Sequence, residues 1–399
     1  MIDLGAYLHR QQFQEIVGRW FYNDLQPSDA LDVKYIVNFN SILIRRYLRG
    51  LAGRLFQDVY RVRPASFHAH TKGELKDFVA VHPSVTNARI QAMIAAYRER
   101  PEDFYKETPV DGRVFYTGEG DHTLFLGSAR LKRPRRIAEK GGRRISDHVY
   151  KKIRDNAETL ARERAERRHV TLDRLVSTQE EMVQEFAAAE DIIRQTIKTH
   201  RQPILERSFD IHDVAGLKLV GEPDVQEEIV RYIEAAPDLR LLEREEHRGL
   251  YNATNLTVEM KLDHAALLAE PIDEKDLAVL RLRGFDAKAA AHDLGTFVNT
   301  AEEKVIVEII LADFEEFLES EIGRCQHEMR IRSQRQNEIY RGPLAKNAQY
   351  LLTYLFAFAV SPQTCIDELP IKMWGLYVPD YIDLVIRQLY NVYDFTVSF

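Results

Sequence analysis

The segment Lys304–Leu311, KVIVEIIL, constrains this chain more than any other stretch of comparable length. Val305, Val307, Ile309 and Leu311 alternate along it, which is the period-two pattern of a strand with one apolar face. Ile306, Glu308 and Ile310 share the other face, because successive side chains of a strand point to opposite sides. A carboxylate between isoleucines is costly to bury unless it is paired or bound to a cation. Glu308 therefore marks either a structural ion pair or a place where something positive binds.

Further strands surround it. AGLKLV (215–220) follows a turn, and LRLLERE (239–245) and NLTVEMKL (255–262) read as strands, with the helical pattern DVQEEIVRYIEAA between the first two. A helical excursion at 262–298 precedes KVIVEIIL. Residues 1 to 105 look mainly helical, with apolar residues three or four apart over 31–51 and 85–98, and VFYTGEGDHTLFLG (114–127) predicts a hairpin around Gly118–Gly120. Residues 155–207 form a charge-laced helical stretch, 312–340 a charged amphipathic helix, and 343–390 a helical block rich in aromatics. The expected fold class is α+β (mixed α/β), with a mixed sheet in the centre. Its parts are a helical N-terminal region over 1–130, a sheet-bearing region over 131–340 with helical insertions at 155–207 and 262–298, and a helical extension over 341–399.

Composition removes several function classes. Only Cys325 and Cys365 occur and no CxxC exists, which excludes a disulfide framework and a cysteine-based zinc site. The net charge of −7 excludes a global basic field, so any anion site is local. Residues 129–154 supply one: eleven basic residues stand there against two acidic. The start of the chain lacks a signal-peptide core, and the longest apolar run, 350–360, is too short to span a bilayer. A cytoplasmic protein without a membrane partner is expected. GxxxxGK[ST], GxGxxG, DxD, HExxH and GxSxG are all missing, which disfavours P-loop, Rossmann, polymerase, zincin and serine-hydrolase chemistry. His68 and His70 in FHAH read as structural or surface residues rather than metal ligands.

Four pieces in chain order carry a resemblance. GGRRISDHVYKKI (141–153), IHDVAGLKLV (211–220), LYNATNL (250–256) and VIVEIIL (305–311) together resemble the synthetase domain of the RelA/SpoT family. The resemblance covers roughly 141–335 and implies a nucleotidyltransferase-like mixed sheet. It implies a pyrophosphokinase that moves diphosphate from ATP to the 3′-hydroxyl of GDP or GTP, in guanosine tetraphosphate metabolism. On it, Asp213 and Glu308 are the catalytic, Mg²⁺-binding carboxylates. Arg144, Lys152 and Lys218 supply the positive cradle with Arg143 nearby, Tyr251 stacks on the acceptor base, and His148 and Asn255 are further nucleotide-binding positions. The match departs from the family at several positions. His148 stands where the family has Ser, Gly142 where it has Arg, Asn255 where it has His, and Ile310 and Ala312 where it has Gln and Arg. Lys218 replaces an Arg, keeping charge without the planar fork. These changes leave open a different acceptor, such as a tRNA 3′ end, and a catalytically inactive nucleotide-sensing or partner-binding relative. RNA and a homo-oligomer through the aromatic stretch 374–393 are further partners the sequence admits. The family's hydrolase domain is not expected, because the His-Asp doublets, His212-Asp213 and His292-Asp293, lie outside residues 1–140.

Overall fold

A computed structural model describes residues 2–199, 209–249, 251–323 and 342–391. The chain folds as a mixed α+β protein around one seven-stranded sheet. Its strands are β2 (Ala65–Thr71), β3 (Pro109–Thr117), β4 (Leu124–Leu131), β6 (Ala215–Val220), β7 (Leu239–His247), β8 (Ala253–Lys261) and β9 (Lys304–Ala312), in the spatial order β2-β3-β4-β6-β9-β8-β7. Only β6 and β9 run parallel; every other pairing in this sheet is antiparallel. A separate parallel pair joins β1 (Ile2–Asp3) to β5 (Phe209–Asp210).

The helices are α1 (Arg10–Tyr22), α2 (Asp29–Asp58), α3 (Lys72–Val81), α4 (Ala88–Glu99), α5 (Pro134–Arg167), α6 (Gln179–Lys198), α7 (Pro223–Ala235), α8 (His264–Ala269), α9 (Glu274–Leu282), α10 (Ala290–Asn299), α11 (Phe314–Ile322), α12 (Pro343–Val360) and α13 (Pro379–Gln388). The parallel join of β6 to β9 requires a long crossover, and α7, the β7–β8 hairpin and α8–α10 supply it.

The apolar face of β9 behaves as its alternation predicts. Val305, Val307, Ile309 and Leu311 are completely buried beside Leu217, Leu219, Leu256 and Val258, and α2, α1 and α12 belong to the same core. On the opposite face a smaller core formed by Val114, Phe125, Val220, Phe314 and Phe317 covers the β2–β3–β4 end under α3, α4 and α11. Toward β9 and β8 this second face turns polar.

Three local differences from the sequence expectation have simple causes. First, β2 lies inside the stretch expected to be helical: FHAH alternates over only a few residues and is too short to outweigh its helical surroundings. Second, the described part of the 155–207 stretch holds the end of α5 and all of α6, with 200–207 outside the described residues, and α6 starts on a capping box in which Thr178 and Glu181 satisfy each other's backbone N–H groups. Third, the helix expected over 312–340 begins as α11, with Asp313 capping Glu316 N–H, and the remainder falls at 324–341, outside the described residues. The hairpin at 114–127 is present as β3–β4, and β4 hydrogen-bonds to β6, so the sheet of the central region continues into the first 131 residues.

Candidate functional site

Asp213 sits in a single 3₁₀ turn, His212–Val214, that feeds β6. The turn is pinned from one side by the start of the chain: Ile211 N–H donates to the Asp3 carbonyl at 2.7 Å, and Ile306 N–H of β9 donates to the Gly5 carbonyl at 2.7 Å. The N-terminal residues thus tie the lead into β6 to β9. Glu308 lies mid-strand in β9, directly beside Gly216 of β6 and Thr257 of β8.

Register places side chains on the polar face in transverse rows. One row runs Arg130, Gly216, Glu308, Thr257 across β4, β6, β9 and β8. The next runs Ser128, Lys218, Ile310, Asn255 across the same strands. Gly216 leaves a notch between Arg130 and Glu308. A Cβ at that position would meet the Glu308 carbonyl oxygen at 2.8 Å, so the close approach of β6 to β9 requires glycine.

Two lysines converge on Asp213. Lys132, just beyond β4, approaches its Oδ2 at 2.7 Å, and Lys140 of α5 approaches the same oxygen at 2.6 Å. Oδ1 is buried and has no hydrogen-bond partner among the described residues. Burial pushes the Asp213 carboxyl up, yet the two lysines outweigh it and bring it down to about 2. Glu308 has no ion pair within 4 Å among the described residues. Burial raises its pKa first and the charge of Asp213 raises it further, while Lys132, Lys140 and His247 offset part of the shift. The electrostatics of Glu308 thus report Asp213 as a near neighbour. Lys132 is itself lowered by burial, with Asp213 opposing.

The structure brings together some of the residues singled out in the sequence and separates others. The turn that carries Asp213 packs against β9, the strand of Glu308. Lys218 and Asn255 lie in the adjacent row, about 7 Å along the strands. Lys218 is engaged, however: it donates to the Ser320 hydroxyl, approaches Glu321 at 3.4 Å and lies 4.6 Å from the centre of the Phe317 ring. Asn255 Oδ1 is buried without a partner among the described residues. Arg144, His148 and Lys152 form one stripe of α5 with Lys140, spaced four residues apart. That stripe leads away from the carboxylates, by roughly 6, 12 and 18 Å along the helix axis. Arg144 donates to the Asp210 carbonyl and the His148 ring meets Phe209 edge-on at 5.4 Å, so both brace β5. Arg143 lies one position off the stripe and is half-buried. Tyr251 sits in the β7–β8 loop, about 20 Å from Thr257 along β8. The neighbouring Asn252 ties that loop to Glu316 of α11.

The cations that touch the carboxylate are Lys132 and Lys140, within the basic run yet outside its GGRR…YKK core. Their signal was position: Arg130 and Lys132 alternate on a strand leaving the hairpin, and Lys140 stands one helical turn before Arg144. Gly141 and Gly142 serve packing. A Cβ on Gly141 would meet Ile2 at 2.5 Å and Leu352 at 2.8 Å, and one on Gly142 would meet the Gln349 backbone at 3.1 Å. They are where α5 crosses α12.

The described residues contain no cluster of three or more His, Cys, Asp or Glu placed to hold a metal ion, and none of their helices is long and apolar enough to cross a membrane. A divalent cation here would have two protein carboxylates and would need other oxygen ligands, the arrangement Mg²⁺ adopts with substrate phosphates. The partnerless Oδ1 of Asp213 and the unpaired Glu308 carboxylate fit that donor set. No family model, no curated protein and no solved structure matches this chain.

Proposed function

We propose that the chain is a RelA/SpoT-like nucleotide pyrophosphokinase that transfers diphosphate from ATP to the 3′-hydroxyl of GDP or GTP. One observation carries the reading. Two carboxylates from segments far apart in sequence, each matching an acidic position of that family, lie near each other: Glu308 pairs with Gly216 of β6, and Asp213 sits on the turn that feeds β6 and packs against β9, with Lys132 and Lys140 on Asp213 and Arg130 on the far side of Gly216.

In this reading Asp213 and Glu308 hold Mg²⁺, which would supply charge neutralisation for the phosphates. The chain's own residues do the rest. Lys132 and Lys140 keep Asp213 ionised and present their ammonium groups to anionic oxygens. Arg130 offers a guanidinium from the neighbouring strand. In the reaction the bond between the α,β-bridging oxygen and the β-phosphorus of ATP breaks and AMP leaves. A bond forms from the acceptor 3′-oxygen to that phosphorus, and the hydroxyl proton is released. Positioning and electrostatics account for most of such a transfer. Ile310 stands where the family has a polar residue, on the same face as Glu308, so the acceptor would meet an apolar side chain between Lys218 and Asn255.

The test is incubation of the full chain with γ-labelled ATP, Mg²⁺ and either GDP or GTP. Labelled guanosine tetra- or pentaphosphate with stoichiometric AMP, lost in Glu308→Gln and Asp213→Asn, supports the reading. Absence of labelled product and of AMP, together with no change in any nucleotide turnover on Glu308→Gln, removes it. AMP release that depends on added tRNA but not on GDP would move the acceptor to RNA.

A further inference from the structure

Beyond the carboxylates the polar face carries Arg130 of β4 and Lys218 of β6. Glu321 of α11 is almost completely buried, its side chain 4% exposed. It accepts from Arg130 at 2.7 Å and approaches Lys218 at 3.4 Å, and Lys72 and Lys76 also act on it. Burial alone would raise this carboxyl; the cations hold it well below its ordinary range. Four cations therefore act on one carboxylate, two of them in direct contact with it. Lys76 is fully buried and spends a hydrogen bond on the Phe104 carbonyl at 2.7 Å, and Lys218 is mostly covered by Ser320 and Phe317. Arg130 differs. One third of its side chain remains exposed, and its ion pair with Glu321 leaves most of a five-donor fork for other acceptors.

Arg130 also has the right neighbours. Across side-chain-less Gly216 it faces Glu308, and two residues along β4 lies Lys132, the cation on Asp213. Lys132 follows the end of β4, two residues after Arg130, and its backbone N–H donates to the Val214 carbonyl at 2.8 Å. The Gly216 notch is thus walled by cations on the β4 side and by Glu308 on the β9 side.

Resting on the reading that Asp213 and Glu308 hold a divalent cation, we propose that Arg130 is the contact that selects a polyphosphate chain over a single phosphate. In this seat the phosphate nearest the carboxylates lies by Lys132 and Lys140, and a further phosphate lies over Gly216 against the free edge of Arg130. Glu321 is the positioning residue that aims this guanidinium. The ligand class is a nucleoside triphosphate or other polyphosphate ester.

Calorimetry on the full chain with inorganic tripolyphosphate and with orthophosphate, each with Mg²⁺, tests this. Arg130→Gln should weaken tripolyphosphate binding by about tenfold or more, as expected for a lost charge-assisted contact. Orthophosphate binding and Mn²⁺ binding measured by electron paramagnetic resonance should stay unchanged. Arg130→Lys keeps a cation beside Glu321 and guards against a folding defect; it should show a smaller loss in the same direction, since Lys lacks the fork. Equal tripolyphosphate affinity in wild type, Arg130→Gln and Arg130→Lys overturns the inference while leaving the carboxylate site standing. Tripolyphosphate binding that depends on Arg130 yet ignores Mg²⁺ and Glu308→Gln keeps this seat and removes the metal reading. Absence of tripolyphosphate binding by the wild-type chain removes the seat.

Discussion

Glu308 pays an electrostatic cost to Asp213, a residue on the turn that leads into β6, the strand whose Gly216 pairs with Glu308. Both burial and this like charge raise the Glu308 pKa. The sign follows directly: a carboxyl whose folded pKa lies above its ordinary 4.5 favours the folded state when protonated, and that advantage is lost as pH rises through the folded value. Glu308→Gln should therefore stabilise the metal-free protein at pH 7, by on the order of 1 kcal/mol, and leave stability unchanged below about pH 4. A divalent cation reverses the balance. Mg²⁺ at ten times its dissociation constant should stabilise the wild type by about 1.4 kcal/mol and the variant hardly at all. Thermal melts with and without Mg²⁺ check both halves. A variant that melts lower than wild type without metal would contradict this account of the pair.

Asp213 titrates in the opposite sense. Its pKa of about 2 lies below the ordinary 3.8, so its contribution is complete above about pH 4 and is lost as pH falls toward 2. With the side chain mostly covered, that contribution is on the order of 2 kcal/mol. Asp213→Asn should lower stability at pH 7 by about 1–3 kcal/mol, because Lys132 remains largely buried without its partner. The same variant should lose less stability than wild type between pH 4 and pH 2. Urea unfolding at pH 2, 3, 4 and 7 measures both effects. Parallel acid limbs for the two proteins would show that Asp213 is not held by its lysines.

Gly216 offers a test of the notch through the backbone. A methyl group there would meet the Glu308 carbonyl at 2.8 Å, a contact that backbone cannot relieve by rotating a side chain. Gly216→Ala should cost about 1–3 kcal/mol by forcing β6 from β9. Gly112 of β3 is the internal control, since its nearest neighbour would be the Ala129 carbonyl at an ordinary 3.5 Å. Gly112→Ala should be tolerated within about 0.5 kcal/mol. Denaturation midpoints that fall equally in the two variants would argue against a tight β6–β9 approach.

The strands around Glu308 were legible because their apolar alternation is local and strong, and Asp213 was legible because a D-x-x-G turn feeds one of them. What the sequence hid depends on long-range geometry. Lys132, Lys140 and Arg130 were visible as charge within 129–154, but periodicity cannot say which turn of a long helix meets a strand 70 residues on; Lys140 does, whereas Arg144 and His148 meet β5 and Lys152 lies further along the helix. Gly141 and Gly142 looked like part of a binding segment, whereas their reason is the α5–α12 crossing, a contact between residues more than 200 apart. β2 was hidden because its strand exists only through pairing with β3. Glu321 lay within an expected helix, and nothing local distinguishes it from Glu315 or Glu316; only tertiary structure buries it beside Arg130 and Lys218.

That burial makes Glu321 a costly carboxylate to remove. It is a buried acid on which Arg130, Lys218, Lys72 and Lys76 all act, and its replacement leaves the mostly covered Lys218 and buried Lys76 without that compensating charge. Glu321→Gln keeps the shape and should still cost about 3–5 kcal/mol, the range for breaking a buried ion pair from one side. Glu158, paired with Arg162 on the exposed surface of α5, provides the comparison: both side chains are about half exposed or more, and Glu158→Gln should leave the urea midpoint where it is. The loss in Glu321→Gln should also resist salt, since a Debye length of about 8 Å at physiological ionic strength screens exposed charges far more than buried ones. Midpoints measured at low and high NaCl for both variants decide the matter. A loss in Glu321→Gln that vanishes at high salt would mean the cluster is open to solvent, and the guanidinium of Arg130 would then lack the fixed aim that its place beside Gly216 demands.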